Sequence, residues 1–287
     1  MHYVKAKSLL TKWNSMNIYR GCTHGCIYCD SRSKCYGFSH AFEDIEVKRN
    51  APELLENILR TKRKKCMIST GSMSDPYMPL EEELCLTRRC LELIERYGFG
   101  ATVITKSSRV LRDLDLFIRI NEQSKAVVQM TLTTCDDDLC HILEPNASVS
   151  SERIEALKTL HSYGIPAVVW MSPILPFIED TGANVERLLD ECIDAGVKGI
   201  ICFGIGMTLR EGNREYYYAA LDKYFPGLRE QYEKNYGLSY HILSPRNEEL
   251  MELFNTRCAK YGIIHDADQC FAYLRDLPEK YGQLSLF

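Results

Sequence analysis

RGCTHGCIYCD, residues 20–30, places three cysteines directly after a short apolar run at Met16–Arg20. Because that run is predicted to be a β-strand, the cysteines lie in the loop after the first strand, where α/β proteins often carry their chemistry. Thiolates select iron-sulfur clusters or zinc, and a cubane cluster takes one thiolate per iron. Cys22, Cys26 and Cys29 are therefore predicted to hold three irons of a 4Fe-4S cluster and to leave the fourth iron open.

The residues between the cysteines support a tight ligand loop. Gly21 and Gly25 allow the positive φ angles that such a loop needs. A structural zinc site is the alternative, with His24 or Cys35 as the fourth ligand. Zinc sites usually pair two separate cysteine knuckles, and no second knuckle follows here. Most of the other cysteines stand singly in apolar surroundings, which is typical of buried thiols rather than disulfides.

Short apolar runs alternate with amphipathic stretches along the chain, which is typical of a parallel sheet covered by helices. The predicted strands are Met16–Arg20, Cys66–Thr70, Ala101–Thr105, Ala126–Thr133, Ile165–Met171 and Gly199–Phe203. The predicted helices are Pro52–Lys62, Glu81–Tyr97, Arg109–Asn121, Ser150–Tyr163 and Ala183–Ala195. Six βα units are fewer than a closed barrel needs, so we expect an α/β fold with a partial (β/α)6 TIM-type barrel. A doubly wound sheet is the alternative.

The rest of the chain is predicted to be an extension of this core. Residues 1–212 form the predicted barrel core, and residues 213–287 form a helical C-terminal extension packed on it. The extension contains a Tyr-rich helical stretch, a short run at Ser239–Leu243 and a helix at Asn247–Tyr261. No internal repeat or long linker marks two independent domains.

The composition limits the classes of partner that we expect the protein to bind. The 287 residues are 45% hydrophobic and 26% charged, with a formal net charge of -4. This balance does not favour binding nucleic acid by bulk electrostatics, and it leaves a local basic groove as the alternative. No apolar run approaches the roughly 20 residues of a membrane helix, and no signal-peptide pattern opens the chain. We therefore expect a cytoplasmic protein.

The cysteine loop resembles that of the radical S-adenosylmethionine (SAM) superfamily, whose hallmark is CxxxCxxC with an aromatic residue before the third cysteine. Cys22, Cys26, Tyr28 and Cys29 match it. The resemblance implies an enzyme in which SAM chelates the open iron and is cleaved to a 5'-deoxyadenosyl radical that abstracts hydrogen. It also implies an electron-donor protein of the flavodoxin or ferredoxin type.

Further stretches resemble the branch related to spore photoproduct lyase. They are STGSMSDPYMPLE at residues 69–81, TKSSRVLRDLDL at 105–116, TLTTCDDDLCHILEPNASVSSERIEALKTLHSYGIP at 131–166 and SPILPFIEDT at 172–181. The resemblance implies that polar groups at the strand ends and in the fourth loop bind SAM. These candidates are Tyr28, Thr70, Gly71, Ser72, Lys106, Thr131, Thr133, Glu144 and Arg153. Glu144 and Arg153 either pair with each other or hold the cofactor, and Asp75 either caps a turn or contacts substrate.

Three functional hypotheses follow. The first is a radical SAM enzyme acting on an unidentified substrate, and the second is lyase-like repair of a thymine lesion in DNA. The lyase resemblance implies a hydrogen-donating cysteine where this chain has Ser72, whose O–H bond is too strong for that role. Tyr77 and Cys135 are the candidate substitutes. The third hypothesis is a non-catalytic iron-sulfur or zinc module.

Overall fold

A computed structural model describes residues 1–278 of the protein. Its strands are β1 (His2–Val4), β2 (Ser15–Met16), β3 (Tyr19–Arg20), β4 (Glu46–Lys48), β5 (Met67–Thr70), β6 (Gly100–Thr105), β7 (Ala126–Thr131), β8 (Ala167–Trp170), β9 (Gly199–Ile201), β10 (Gly206–Thr208) and β11 (His241–Leu243). Its α-helices are α1 (Ala51–Thr61), α2 (Glu81–Leu84), α3 (Leu86–Arg96), α4 (Leu114–Gln123), α5 (Asp137–Leu143), α6 (Ser150–Ser162), α7 (Gly182–Asp194), α8 (Asn213–Tyr224), α9 (Leu228–Tyr236), α10 (Asn247–Lys260) and α11 (Ala267–Arg275).

One parallel sheet organises the molecule. Its six strands lie in chain order, β2-β5-β6-β7-β8-β9, and every neighbouring pair is parallel. All six residues of β7 are buried, as expected of a central strand in a parallel sheet. The predicted α/β class with a parallel sheet is confirmed. In such a sheet all the strands end at the same edge, so the loops after them meet there.

The prediction of one strand over Met16–Arg20 is wrong, because β2 and β3 are separate strands there. Met16 pairs with Thr70 in the main sheet, whereas Tyr19 pairs antiparallel with Val47. The chain changes sheets between these two positions, so β3 joins β4 and β1 in a separate three-stranded sheet. The apolar pattern is continuous across the change and therefore gave no sign of it.

The predicted helix Glu81–Tyr97 is also two helices. Cys85 has a left-handed backbone, with φ of 49°, and separates α2 from α3. The buried carboxylate of Glu81 accepts hydrogen bonds from the amides of Leu86 (3.1 Å) and Thr87 (3.0 Å). These are free amides at the start of α3, so Glu81 serves as its cap and stabilises the break.

The C-terminal part packs against the sheet and its helices. Strand β11 pairs antiparallel with β10, and α10 packs on α7. Lys125 Nζ donates to the carbonyl oxygens of Tyr273 (2.6 Å) and Asp276 (2.9 Å), which ties the end of α11 to the start of β7. The division at residue 212 stays a prediction, and residues 279–287 of the predicted extension lie outside the described residues. None of the helices in residues 1–278 combines the length and apolar character needed to cross a membrane.

Candidate active site

The cysteine loop lies between β3 and a 3-10 turn at Asp30–Arg32, at the edge where the parallel strands end. All thirteen cysteines are free thiols, so the disulfide interpretation fails. Burial raises the pKa of the Cys22 thiol to about 12 and raises the pKa of Cys26 and Cys29 as well. Buried thiolates are costly unless a cation compensates them, and a bound metal supplies that compensation.

Contacts from three segments fix the shape of this loop. Gly21 has φ of +91°, and a Cβ there would lie 2.3 Å from the carbonyl oxygen of Phe42. The Ser74 hydroxyl donates to the Gly21 carbonyl, and the Ile27 amide donates to the Leu143 carbonyl (2.9 Å). The loop is therefore held from both sides by protein contacts, as a preorganised ligand set requires.

The spacing of the thiols distinguishes a cluster from zinc. Tetrahedral zinc with Zn–S bonds near 2.3 Å needs sulfurs only about 3.8 Å apart. Among residues 1–278, no three ligand atoms that include these sulfurs or a ring nitrogen of His24 lie within 4.8 Å of one another. Cys35 is exposed, and its sulfur lies 3.2 Å from Arg210 Nη1. The residues do not fit a preformed zinc site, whereas three separated thiols fit a cluster with one thiolate per iron.

A cavity of about 920 Å³ extends from the cysteine loop along the inner face of the sheet. Alternate residues of the strands line it, as the period of two of a β-strand requires. These are Met67 and Ser69 of β5, Thr102 and Ile104 of β6, and Gln129 and Thr131 of β7. Cys26 and Cys29 border the same cavity. A molecule inside it therefore lies within reach of both the cluster ligands and the sheet.

The C-terminal part contributes a wall of this cavity that the sequence did not predict. His241 and Leu243 of β11 line it, together with Phe271, Leu274 and Arg275 of α11. The Arg275 guanidinium lies 5.9 Å from the ring of Trp13, which also borders the cavity. Residues from near both ends of the described chain thus meet around one space.

Five of the predicted cofactor-binding residues line the cavity: Tyr28, Thr70, Ser72, Lys106 and Thr131. Gly71 lies between two of them but does not border the cavity. Its φ is +102°, and a Cβ there would lie 2.1 Å from the carbonyl oxygen of Ile104, so glycine lets β5 and β6 approach. Thr133 is buried away from the cavity, and its carbonyl accepts from Asn184 Nδ2 at 2.9 Å. The structure thus shows Gly71 at the approach of β5 to β6 and Thr133 bonded to Asn184 of α7, and SAM binding by either residue stays a prediction.

Lys106 is the only lysine among the described residues that line the cavity. Its ammonium lies 5.6 Å from the centre of the Tyr28 ring and 3.7 Å from Glu144 Oε1. Burial lowers the pKa of Lys106, and the neighbouring Cys26 opposes this effect. A cation on the wall next to two cluster cysteines provides a charge-assisted donor for a carboxylate.

Glu144 and Arg153 form a buried ion pair behind the cavity wall. Arg153 Nη2 and the Tyr28 hydroxyl both donate to the Glu144 carboxylate. Neither member of the pair lines the cavity, so of the two predicted alternatives the structure shows the pairing. Glu144 holds Tyr28 and faces Lys106. Burial raises the pKa of Glu144, and the Arg153 guanidinium opposes that rise.

Asp75 organises the ends of two strands, a role the sequence left open. Its carboxylate accepts from the Thr105 hydroxyl (2.7 Å), the Lys106 amide (2.7 Å) and the Tyr77 amide (2.8 Å). The bond to Tyr77, two residues on, is an Asx turn, which an Asp before Pro makes commonly. The bonds to Thr105 and Lys106 fix the end of β6, and Lys106 is the first residue after this strand.

The two predicted substitutes for a hydrogen donor are remote from the cavity. The Tyr77 hydroxyl is fully buried and donates to Asp113 Oδ2 at 2.9 Å. Cys135 is buried within the main apolar core. Neither residue lines the described cavity, so neither enters the proposal below.

A parallel sheet with a three-cysteine loop over its cavity defines a class of enzyme, and the comparison with known families identifies it. The Radical SAM superfamily model matches residues 16–182. The chain therefore belongs to the radical SAM superfamily and is an enzyme whose cofactors are a 4Fe-4S cluster and SAM. This membership rules out the hypothesis of a non-catalytic module.

Particular relatives place the chain within the superfamily. An uncharacterized protein of Methanocaldococcus jannaschii is 33% identical over 232 residues, which cover 80% of this chain and 78% of that protein. A radical SAM Nalpha-GlyT isomerase of Pseudomonas phage M6 is 24% identical over 263 residues, or 90% of this chain and 53% of that protein. A mutant of spore photoproduct lyase has a similar fold, with a TM-score of 0.67 at 15% identity over 92% of this chain and 80% of that one.

Proposed function

We propose that this enzyme cleaves SAM reductively at the cysteine loop and abstracts a hydrogen atom from a substrate held in the cavity. The observation that carries the proposal is the continuity of the 920 Å³ cavity, which joins Cys26 and Cys29 to the inner face of the sheet. When bound, the cluster and SAM supply a 5'-deoxyadenosyl radical. The electron comes in this proposal from a flavodoxin- or ferredoxin-type protein, because the cleavage needs a low-potential donor.

The polar residues of the cavity wall suit the binding of SAM. Lys106 is placed to pair with the methionyl carboxylate, because a buried ammonium forms a strong charge-assisted hydrogen bond. Thr70, Ser72 and Thr131 offer hydroxyl groups at the strand ends. The Tyr28 hydroxyl donates to Glu144, which fixes the orientation of this ring in the cavity wall. Holding these groups in place before binding lowers the cost of ordering the cofactor.

A partial barrel is the architecture we propose for this cavity. Ser15 of the first strand and Phe203, which follows the last strand, both border the same space. A flat sheet would keep its two edge strands apart, so a shared cavity supports a sheet that curves around it. The C-terminal part forms one wall of this cavity and so limits the access of water and competing hydrogen donors, as radical chemistry requires.

The test is anaerobic reconstitution of the full chain, followed by dithionite and SAM. We expect wild type to bind about four irons per chain and to form 5'-deoxyadenosine, and Cys26→Ala to form none. Cys66→Ala is the matched control, because Cys66 is a partly exposed thiol that does not line the cavity. Equal 5'-deoxyadenosine from wild type and Cys26→Ala would refute the proposal.

Lyase-like repair of a thymine lesion is the second candidate. It is supported by the similar fold of spore photoproduct lyase, which has been solved with AdoMet and dinucleoside spore photoproduct. The wall composition opposes it, since Cys26 and Cys29 are the only thiols among the described cavity residues and Ser72 replaces the expected donor. Incubation with dinucleoside spore photoproduct tests it: release of the repaired dinucleotide by wild type, and not by Cys26→Ala, would establish repair.

A further inference from the structure

A group of metal-binding side chains lies on the small three-stranded sheet, away from the cavity. Within residues 1–278, His2, His40 and Glu46 are the one set of three His, Cys, Asp or Glu residues whose ligand atoms all lie within 4.8 Å of one another. His2 on β1 and Glu46 on β4 are register partners in parallel strands, so their side chains leave the same face. His40 comes from the loop before β4, and its ring meets the His2 ring edge to face at 4.8 Å.

Hydrogen bonds to Nδ1 determine the tautomer of both imidazoles. His2 Nδ1 lies 3.0 Å from Asp44 Oδ2, and His40 Nδ1 lies 2.9 Å from the carbonyl oxygen of Ala41. Carboxylate and carbonyl oxygens only accept, so each Nδ1 carries the proton and each neutral ring keeps its lone pair on Nε2. Metal-bound histidines usually have one of these two outer partners.

The remaining ligand atoms of this group lack other partners. His40 Nε2 is buried without a hydrogen bond, although burial of an unpaired polar nitrogen costs free energy. Glu46 makes no salt bridge or side-chain hydrogen bond with the described residues. The nearby cations are engaged elsewhere, because Arg20 donates to the Tyr36 carbonyl (2.7 Å) and Lys48 Nζ donates to the Asn17 carbonyl (2.8 Å). Two nitrogens and one carboxylate thus converge with free lone pairs.

We propose that His2, His40 and Glu46 bind a divalent zinc-type cation through two imidazole Nε2 atoms and one carboxylate oxygen. Imidazole suits zinc among the available metals, and two histidines with one glutamate form a known zinc ligand set. Tetrahedral zinc needs ligand atoms about 3.4 Å apart, so the three partly exposed side chains close in slightly on binding.

The position of this site indicates a structural role. The ion would tie β1 and β4 to the segment that contains Phe42, whose carbonyl lies against Gly21 beside the first cysteine. Strand β3 of the same sheet leads directly into the cysteine loop. The metal would therefore brace the support of that loop, and this inference does not depend on the reaction proposed above.

The test uses cluster-loaded enzyme with a C-terminal tag, dialysed against zinc and then analysed for zinc and iron separately. We expect one zinc per chain, with Zn K-edge absorption showing nitrogen and oxygen neighbours near 2.0–2.1 Å and no sulfur near 2.3 Å. His40→Gln and Glu46→Gln are expected to weaken zinc binding at least about 100-fold, and Asp44→Asn about 10- to 100-fold. His141→Gln, an exposed histidine on α5, is the control and should bind as wild type does.

Each outcome either supports or overturns the proposed zinc site. Absence of zinc, a sulfur shell around it, or full zinc retention in His40→Gln would overturn the proposal. Circular dichroism of the zinc-free variants checks that they fold. If His40→Gln does not fold, Asp44→Asn replaces it, because that change leaves all three ligands in place. It removes the carboxylate partner of His2 Nδ1 and the ion pair of Asp44 with the N-terminal ammonium (3.1 Å).

Discussion

Replacing Arg153 by methionine tests whether the buried ion pair maintains the site. Arg153 is fully buried, and its guanidinium donates to the carbonyl oxygens of Ser148 (2.7 Å) and Thr131 (2.9 Å) as well as to Glu144. Methionine fills similar volume but supplies no charge and no donor. The Glu144 carboxylate would then stay buried with the more distant Lys106 as its nearest cation, at 3.7 Å.

Removing one partner of a buried ion pair costs about 3–5 kcal/mol, because the remaining charge is left uncompensated. That is a large part of the roughly 5–15 kcal/mol that stabilises a typical protein. The double variant Glu144→Gln/Arg153→Met removes the orphaned charge as well. It is therefore expected to be more stable than Arg153→Met alone, although Tyr28 then donates to a neutral amide.

Urea unfolding of the iron-free chain under anaerobic reducing conditions measures these free energies. Arg119→Met is the matched control, because Arg119 pairs with Glu95 and Asp115 at the surface and exposed pairs contribute about 0–1 kcal/mol. The reasoning is refuted if Arg153→Met loses less than about 1 kcal/mol, or if the double variant is less stable than Arg153→Met.

Three further predictions follow from the structure. Gly71→Ala should lower stability by about 1–3 kcal/mol from backbone strain alone, with the overlap on Ile104 added. Gly37→Ala is its control, because φ is +63° there but a Cβ meets nothing within 4 Å, and equal thermal shifts would contradict the prediction. Burial raises the pKa of Glu179 to about 8, so the folded chain keeps a proton that the unfolded chain releases near pH 4.3. The free energy of unfolding should therefore fall between about pH 5 and 8 by up to about 1.4 kcal/mol per pH unit. Urea unfolding of Glu179→Gln should show a smaller dependence on pH. An unchanged dependence would exclude Glu179 as its source. Lys106→Met should weaken SAM binding about 10- to 100-fold in equilibrium dialysis, because a charged hydrogen bond contributes about 1.5–3 kcal/mol, and unchanged affinity would remove Lys106 from the cofactor site.

The sheet could be predicted because each βα unit leaves a local signature and consecutive units become parallel neighbours. All five later strands begin and end within two residues of their predicted bounds. The end of β7, for example, is Thr131 instead of Thr133. The first strand could not be predicted, since periodicity does not tell which sheet a two-residue pairing joins. The break at Cys85 depends on the Glu81 carboxylate, whose tertiary position no local pattern encodes.

Site residues could be predicted where their position along a strand determines whether they reach the cavity. Lys106 and Thr131 lie at strand ends and reach the cavity, as their positions indicated. For Glu144 the sequence left two alternatives open, cofactor binding or pairing with Arg153, and the structure shows its side chain paired with Arg153 and Tyr28. A motif shows that such residues belong to one region, whereas the direction of each side chain depends on packing.

The cavity wall built from β11 and α11 has a practical consequence for work on this enzyme. A fragment ending near residue 212 would retain every cluster cysteine, yet it would lack His241, Phe271 and Arg275 from the lining. Radicals formed in that fragment would meet bulk solvent. Substrate screening should therefore use the whole chain, since turnover by a shortened form would measure quenching by buffer instead of specificity.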